Sequence, residues 1–129
     1  MRDADNKTTG RRMKDMHEFL NAAELPWEDA DGSPGVTERV LSSAPGDAGE
    51  LTRLARWAPG LDTSEAGVIR HEYYEEVYLL DGELHDLTLD ATFTAGYYAS
   101  RPPGMPHGPY RTETGCTMLE IRYWPAGAS

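Results

Sequence analysis

The chain has 129 residues and a mass of 14.3 kDa, which is the size of one compact domain. Hydrophobic residues make up 39% of the chain, which is enough to build a core and excludes wholesale disorder. The 12 basic and 22 acidic residues give a net charge of −10, which argues against binding to nucleic acid or to an anionic membrane surface.

The N-terminal segment and the cysteine content predict a soluble cytoplasmic protein. Charged residues are spread over positions 1–18, where a secretory signal peptide would need an apolar segment. The longest apolar run in the expected core is Val77–Leu80, which is far too short to span a membrane. The single cysteine, Cys116, can form neither an internal disulfide nor a cysteine-rich zinc site, and we expect it to be a small core residue.

The first 25 residues are expected to precede the folded domain. Residues 1 to about 14 are polar and lack periodicity, which predicts a mobile tail. Lys14–Ala23 has apolar residues at roughly helical spacing and predicts a short helix. Pro26 would end that helix, because a proline disfavours helical backbone at the residue before it. Residues 26–129 would then form a single β domain.

Short strands between proline and glycine turns are expected from residue 26 onward. Residues 87–93 alternate between apolar and polar side chains, which is typical of a strand with one buried face. The dipeptide Asp81-Gly82 predicts a hairpin turn, and the last strand has Leu119, Ile121 and Tyr123 on one face. This succession of short strands and turns predicts an all-β sandwich or a small barrel. A barrel fits better, because closure of the sheet removes edge strands. The predicted strands are Val36–Leu41, Glu50–Trp57, Val68–His71, Glu75–Leu80, residues 87–93, Tyr97–Arg101 and Thr117–Trp124.

A histidine and a glutamate fall on the inner face of one predicted strand. If the chain stays extended, His71, Tyr73 and Glu75 project to the same side, which continues with Val77 and Leu79. Burying either polar group without a partner costs about 2–7 kcal/mol, and an ion costs more. A divalent metal would satisfy both side chains at once, so both are candidate ligands.

A second candidate group lies in the segment of residues 96–107. Gly96, Pro102 and Gly104 constrain its backbone, and the segment ends at His107. A rigid loop that presents one imidazole suits a metal site, because ligands must be held in place before the ion arrives.

The spacing of these residues resembles the paired motifs of the cupin superfamily. The spacing of His71, Glu75 and Gly82 resembles the first motif, and residues 96–107 resemble the second. The resemblance covers roughly residues 26–124, and its wider pattern is similar to ChrR-type anti-sigma sensor domains and acetylacetone-cleaving dioxygenases. The chain departs from the first motif at Ile69, where these proteins normally have a histidine.

The resemblance implies a double-stranded β-helix (cupin) barrel with one divalent metal ion per subunit. The ligands would be His71, Glu75 and His107, and two histidines with one carboxylate suit non-haem Fe(II) because they leave open coordination positions. Zn, Mn, Ni or Cu are alternatives, and the substitution at Ile69 leaves open that metal binding has been lost.

Other residues compete for the ligand positions. Glu76 would replace Glu75 if a β-bulge lay between them. His85 would become a fourth ligand if the strand register slipped by one residue, and otherwise points outward. His17 is expected to be solvated.

The expected reaction is dioxygenation of a small enolizable, diketone or phenolic substrate by a homodimer, as the resemblance implies. Catalytic roles are predicted for Glu75, Tyr73 and Arg111. Alternatives are a redox-neutral cyclase, isomerase or lyase, a non-catalytic ligand-binding cupin, and a metal-free interaction module. Packing is the alternative role for the tyrosines, and surface charge balance is the alternative for Arg101 and Arg111. Further pocket candidates are Tyr97 or Tyr98, Met105 and Tyr110.

Overall fold

The computed structural model describes residues 13–45 and 49–125. Almost all of the tail predicted for residues 1 to about 14 lies outside the described residues. Two single-turn 3₁₀ helices are present in the described part, at Ala22–Glu24 and Ser64–Ala66. The strands are β1 (Glu28–Asp29), β2 (Val36–Ser43), β3 (Leu51–Trp57), β4 (Tyr74–Asp86), β5 (Ala91–Thr94), β6 (Tyr98–Arg101), β7 (Tyr110–Arg111) and β8 (Cys116–Tyr123).

The strands form an antiparallel β-barrel in which β4 belongs to two sheets. The first half of β4 pairs with β8 on one side and β6 on the other, and β8 continues through β3 and β2 to β1. The second half of β4 pairs instead with β5 and β7. The inward faces of the two sheets therefore enclose one interior, which confirms the predicted all-β barrel.

The dipeptide Asp81-Gly82 is not a hairpin turn, so that prediction is wrong. β4 continues through both residues, with a β-bulge after Leu79. Gly82 has a φ of 77° and lies so close to Gly115 that a Cβ atom would overlap the Gly115 carbonyl oxygen. The glycine is therefore required by the close approach of two strands rather than by a turn.

The bulge changes which residues of β4 face the interior. Glu75, Val77 and Leu79 are buried before the bulge, whereas Leu84 and Asp86 are buried after it. The inward set thus changes from odd to even positions, because the bulge inserts one extra residue into the alternation.

The strand predicted for residues 87–93 is shorter than expected. Asp86 Oδ1 accepts hydrogen bonds of 2.9 Å from the backbone N–H groups of Thr88 and Leu89, which closes a turn over residues 87–90. Leu89 is consequently 66% exposed, and β5 begins only at Ala91. A side chain that caps the backbone locally has overridden the alternating pattern.

The α-helix predicted for Lys14–Ala23 is also wrong. Within this segment only a single 3₁₀ turn forms, which begins at Ala22. Asp15 instead pairs with Ser43 of β2, through backbone and side-chain hydrogen bonds of 3.1 and 2.8 Å. Phe19 is 96% exposed, so the apolar residues of this segment do not pack against the barrel. A helix of about ten residues is marginally stable without such packing.

The interior is filled by alternate residues of the central strands. In β8, Cys116, Met118 and Glu120 are buried, and burial raises the pKa of the Cys116 thiol to about 12, which makes it an inert core group. The three β8 residues predicted to share a face do so, but they lie on the outer face of the strand: Leu119, Ile121 and Tyr123.

No helix in the described ranges is long and apolar enough to span a membrane.

Candidate metal site

Backbone pairing joins the two candidate motifs. Ile69 and His107 exchange backbone N–H···O hydrogen bonds of 2.8 and 3.0 Å, and this bridge is all that forms of the strand predicted for Val68–His71. The N–H of Gly104 also donates to the carbonyl of His71 at 2.8 Å. Ile69, which replaces the usual first histidine of the motif, therefore fixes the backbone of the second-motif histidine.

His71, Glu75 and His107 lie together at one end of the interior. Their potential ligand atoms are all within 4.8 Å of one another, and in residues 13–45 and 49–125 no other such group of three occurs. His71 Nε2 is 3.7 Å from Glu75 Oε1, and the two imidazole centroids are 4.9 Å apart. We call these three residues the ligand group.

One of the two ring nitrogens of His107 has a hydrogen-bond partner among the described residues, and the other has none. Its Nδ1 is 3.1 Å from the hydroxyl of Tyr110, whereas its buried Nε2 has no hydrogen-bond partner in the described part of the chain. Burial, reinforced by the nearby charge of Arg101, lowers the pKa of His107 to about 4. If Nδ1 carries the proton and donates to Tyr110, Nε2 presents a lone pair, as a metal-binding histidine does.

His71 is held in place by an aromatic neighbour. Its ring stacks on Tyr73 with centroids 4.5 Å apart, and Tyr73 contacts the ring of Trp124 edge-on at 5.8 Å. Burial lowers the pKa of His71 below its ordinary value, although Glu75 opposes the shift. Both imidazoles of the ligand group are therefore neutral at pH 7, which is the form that binds metals.

Glu75 is also part of a chain of alternating charges that we call the ion ladder. Arg101 Nη1 donates to Glu75 Oε1 at 2.8 Å, and Arg122 Nε lies 3.7 Å from Glu75 Oε2. The other contacts of the chain range from 2.7 to 3.9 Å. Three carboxylates and three guanidinium groups balance, so the ladder is neutral by itself. Its members are Glu38, Arg53, Glu120, Arg122, Glu75 and Arg101.

Strand register builds the ion ladder. Glu75 lies directly opposite Arg122 of β8 and Arg101 of β6, and Arg53 of β3 lies opposite Glu120 of β8. Opposite charges at paired positions attract one another across a sheet. Inside the barrel each charge depends on its partner, because an unpaired buried charge is strongly destabilising.

The donor atoms of the ligand group fit a divalent transition-metal ion. Two neutral imidazoles and one carboxylate form the donor set of non-haem Fe(II) sites. The unpartnered Nε2 of His107 is the sharper indication, because buried polar atoms are rarely left unsatisfied. Arg101 and Arg122 oppose a bound cation, since Arg101 already engages the Oε1 atom of Glu75 and Arg122 lies 3.7 Å from Oε2.

An apolar cavity of about 390 Å³ adjoins the ligand group. It lies between β4, β5, β6 and the segment that leads into β7. Arg101, His107 and Tyr110 line it and connect it to the ligand group through the contacts above, whereas His71 and Glu75 do not line it. Tyr97, Tyr98 and Met105 also lie in the wall, and the apolar lining includes Val77, Leu79, Leu84, Phe93 and Ala99.

The two other residues with predicted catalytic roles lie in different places. Tyr73 stacks on His71 beside the ligand group but is not part of the cavity lining. Arg111 is exposed on β7, and the structure brings it neither to the ligand group nor to the cavity. The arginine beside Glu75 is Arg101.

The two rival ligands lie away from the ligand group. Glu76 is on the outer face of β4, where its carboxylate accepts a hydrogen bond from the Tyr98 hydroxyl. His85 Nδ1 is 2.8 Å from Thr92 Oγ1, and its Nε2 is 3.3 Å from Asp90 Oδ1. The bulge of β4 lies after both glutamates, so regular alternation places Glu75 inside, as the strand pattern favours.

Sequence patterns miss the arginines of the ion ladder. They assign Arg101 to surface charge balance and give no role to Arg53 or Arg122. A signal existed in the alternation, because Arg53 shares a face of β3 with Ala55, which is completely buried. Without the register of the strands, however, no partner can be assigned to these charges, and an unpartnered charge is expected to be exposed.

Most of the sequence matches one known domain family. The model of the ChrR cupin-like domain family matches residues 15–124. No curated protein sequence shows significant similarity to the chain.

Several solved structures share the fold at low sequence identity. An RmlC-like cupin from Shewanella frigidimarina has a TM-score of 0.65 at 19% identity, over 86% of this chain and 94% of that one. A candidate dioxygenase from Nostoc punctiforme has a TM-score of 0.72 at 20% identity, over 85% of this chain but 37% of that one. The polyketide cyclase RemF from Streptomyces resistomycificus has a TM-score of 0.60 at 21% identity, over 83% of this chain and 79% of that one.

Proposed function

The chain belongs to the ChrR cupin-like domain family, as its motifs suggest, and from this we propose that it is a mononuclear, divalent-metal-dependent enzyme of the dioxygenase type. The substrate in this proposal is a small enolizable, diketone or phenolic molecule. The observation that carries the proposal is the buried, unpartnered Nε2 of His107, which lies within 4.8 Å of ligand atoms of His71 and Glu75 beside an apolar cavity.

The ligand group would hold the metal through three atoms. These are Nε2 of His71, Nε2 of His107 and a carboxylate oxygen of Glu75. When bound, an Fe(II) ion would supply Lewis acidity and the electrons needed to activate O₂. Zn, Mn, Ni or Cu would supply Lewis acidity to a redox-neutral variant of the same site.

Tyr110 positions His107 and supplies a hydrogen bond to the cavity. Its hydroxyl oxygen accepts a 2.8 Å hydrogen bond from Arg101 Nη2 and lies 3.1 Å from His107 Nδ1. Burial raises the pKa of Tyr110 to about 12, so the hydroxyl keeps its proton at pH 7. With Nδ1–H and Nη2–H as donors to the oxygen, the hydroxyl proton is left to donate to a substrate oxygen in the cavity.

The cavity walls would bind the apolar body of the substrate and exclude water. Leu84 is 5% exposed, and Phe93 and Ala99 complete the wall on the side of β5 and β6. Removal of water strengthens the hydrogen bonds and charge interactions that Arg101 and Tyr110 make with a bound oxygen.

Metal content tests the ligand assignment. After loading with Fe(II) and desalting, the wild-type protein should retain about one ion per subunit, whereas His71→Ala and His107→Ala should lose affinity by roughly 100-fold or more. His85→Ala is the matched control, because His85 contacts Thr92 rather than the ligand group. Full metal occupancy in both ligand variants would show that the assignment is wrong.

Oxygen uptake tests the reaction type. With acetylacetone as the probe substrate, the Fe(II)-loaded protein should consume dissolved O₂, and the His107→Ala variant should not. Product formation without O₂ uptake would instead indicate a cyclase, isomerase or lyase. Tight binding of the probe without turnover would indicate a ligand sensor, and either result would contradict the proposed dioxygenation.

The proposed assembly is a homodimer that pairs through the outer face of β4 and β6. Tyr78 and Tyr98 are cross-strand neighbours there, 43% and 58% exposed, and Leu80 is 43% exposed. Contiguous apolar groups on a sheet face favour association, and a two-fold axis would bring the same residues of two copies together. Light scattering should give a dimer for the wild-type protein and a monomer for Tyr78→Glu. A wild-type monomer at micromolar concentration would contradict this arrangement.

A further inference from the structure

Arg101 contacts both the ligand group and the cavity. Its Nη1 donates to Glu75 Oε1 and its Nη2 donates to the Tyr110 hydroxyl, each at 2.8 Å. The side chain is 12% exposed, and it is the one lysine or arginine in the cavity lining that the described residues form.

The other polar side chains that line the cavity are a carboxylate, several hydroxyls and the imidazole of His107, and none of them is a lysine or an arginine. The Oδ1 atom of Asp86 already accepts hydrogen bonds from Thr88 and Leu89 in its own turn. A ligand with an apolar body and one anionic end would therefore place its charge at Arg101.

Arg101 occupies the Glu75 oxygen that a metal ion would need. Glu75 Oε1 is 2.8 Å from Arg101 Nη1 and 3.7 Å from His71 Nε2, so it is an oxygen that faces the ligand group. A cation held by the ligand group would compete with the guanidinium for this oxygen and repel it at short range. An anion in the cavity would give the displaced guanidinium a new partner.

The charge balance of the interior points the same way. The ion ladder is neutral without any bound ion, since its three carboxylates match its three guanidinium groups. The buried carboxylate of Asp86, which lines the cavity, offsets one of the two positive charges that a divalent cation would add, and the other is left in a mostly buried region, where isolated charge is costly. A bound organic anion would offset part of that charge.

We propose that the cavity binds a small organic anion, a carboxylate or enolate with an apolar body, and that Arg101 is its anchor. In the metal-bound protein Arg101 exchanges Glu75 for the anionic oxygens of the ligand, which a planar guanidinium can bind with two parallel hydrogen bonds. The exchange rests on the proposed metal site, but the anchoring of an anion by Arg101 does not.

Benzoate and its neutral counterpart benzamide test the anchor. Calorimetry on the full chain loaded with Zn(II), which is redox-inert, should give at least about tenfold tighter binding of benzoate than of benzamide. Arg101→Met should abolish this preference. Arg111→Met is the matched control, because that exposed arginine lies outside the cavity, and it should keep the preference. Equal affinities for the two probes in the wild-type protein, or an unchanged preference in Arg101→Met, would overturn the proposal.

Zinc affinity gives a readout that a merely structural role would not produce. Arg101→Met should bind Zn(II) more tightly than the wild-type protein, because the variant frees Glu75 and removes a positive charge beside the ion. Weaker zinc binding in a folded variant would contradict the exchange. Nitrogen-15 spectra of the wild-type guanidinium groups should show the Arg101 signals shift on addition of benzoate, and this measurement decides the matter even if the variant does not fold.

The two proposals can fail separately. If Zn(II) does not bind to the wild-type protein, the proposed metal site is wrong, and the EDTA-treated protein then tests the anchor alone. A benzoate preference that disappears in Arg101→Met would still support the anchor there. If Zn(II) binds but benzoate is not preferred, the anchor is wrong and the metal site stands.

Discussion

The ion ladder and the cavity share one interior but depend on different forces. Glu75, the first inward residue of β4, belongs to the ladder, whereas Leu84, farther along the same strand, lines the cavity. The ladder depends on register, because each charge needs its opposite on the neighbouring strand. The cavity depends on shape and on the removal of apolar area from water, which requires no specific partner. We therefore expect β4 to tolerate few substitutions where it belongs to the ion ladder and more substitutions where it lines the cavity.

Loss of one charge from the ion ladder should produce the largest effect. Glu75→Gln keeps the side-chain size but leaves Arg101 and Arg122 without their shared negative partner. We expect the free energy of unfolding to fall by about 3–5 kcal/mol, as for other broken buried ion pairs. Urea denaturation of the EDTA-treated protein measures this change.

Glu76→Gln is the control, because Glu76 is adjacent in sequence but lies on the outer face of β4. The glutamine oxygen can still accept the hydrogen bond from the Tyr98 hydroxyl, so the loss of the exposed charge should cost about 1 kcal/mol or less. Equal losses of unfolding free energy in the two variants would mean that charge pairing across strands does not make the interior more sensitive than the outer face. Glu75→Gln should also weaken metal binding more than Glu76→Gln does, and the opposite result would make Glu76 the ligand.

A truncation in the cavity wall should have a smaller effect. Leu84→Ala removes a side chain that is 5% exposed, and the expected loss is about 2–3 kcal/mol of unfolding free energy, at the lower end of the range for such changes. The lower end applies because one side of Leu84 already faces the cavity and has fewer contacts to lose. Leu80→Ala, on the exposed side of the same strand, should cost less than about 1 kcal/mol. A loss for Leu84→Ala that exceeds that of Glu75→Gln would reverse the comparison.

The sequence predicts the ligand group better than it predicts the surroundings of that group. Strand alternation and the Pro- and Gly-rich loop nominate His71, Glu75 and His107, and the structure places their ligand atoms within 4.8 Å of one another. Local spacing is enough here, because His71 lies just before β4, Glu75 lies within β4, and one constrained loop brings in His107. The all-β fold is predicted for a similar reason, since short alternating segments between turns have few other solutions.

What the sequence does not predict depends on contacts between distant segments. Asp81-Gly82 has the composition of a turn, but Gly82 is a glycine because Gly115 packs against it. Arg101 has the appearance of a surface charge until the register places it opposite Glu75. In both cases the deciding neighbour is more than 25 residues away along the chain, so no local pattern contains the information.

Protonation of His107 should give the smallest and most gradual effect. In the metal-free protein burial and the charge of Arg101 lower its pKa to about 4, from an ordinary value of 6.5. Between these two values the unfolded chain binds a proton at this histidine and the folded chain does not. The free energy of unfolding should therefore fall as the pH is lowered from 6.5 to 4 and lose no more below that range. Because His107 is only half-buried, solvent screening limits the loss to about 1–2 kcal/mol.

Urea denaturation of the wild-type protein and His107→Ala as a function of pH isolates this contribution. The difference in unfolding free energy between the two should be constant above pH 6.5 and should move against the wild-type protein as the pH falls to 4. Leu84→Ala is the control, since it removes no titrating group and should shift the wild-type curve without changing its slope. Parallel curves for the wild-type protein and His107→Ala would mean that folding leaves the pKa of His107 unchanged, which would contradict this prediction. A difference that moves in favour of the wild-type protein as the pH falls would mean that the imidazole is stabilised in its charged form. In that case Nε2 would carry a proton and could not act as a ligand at neutral pH.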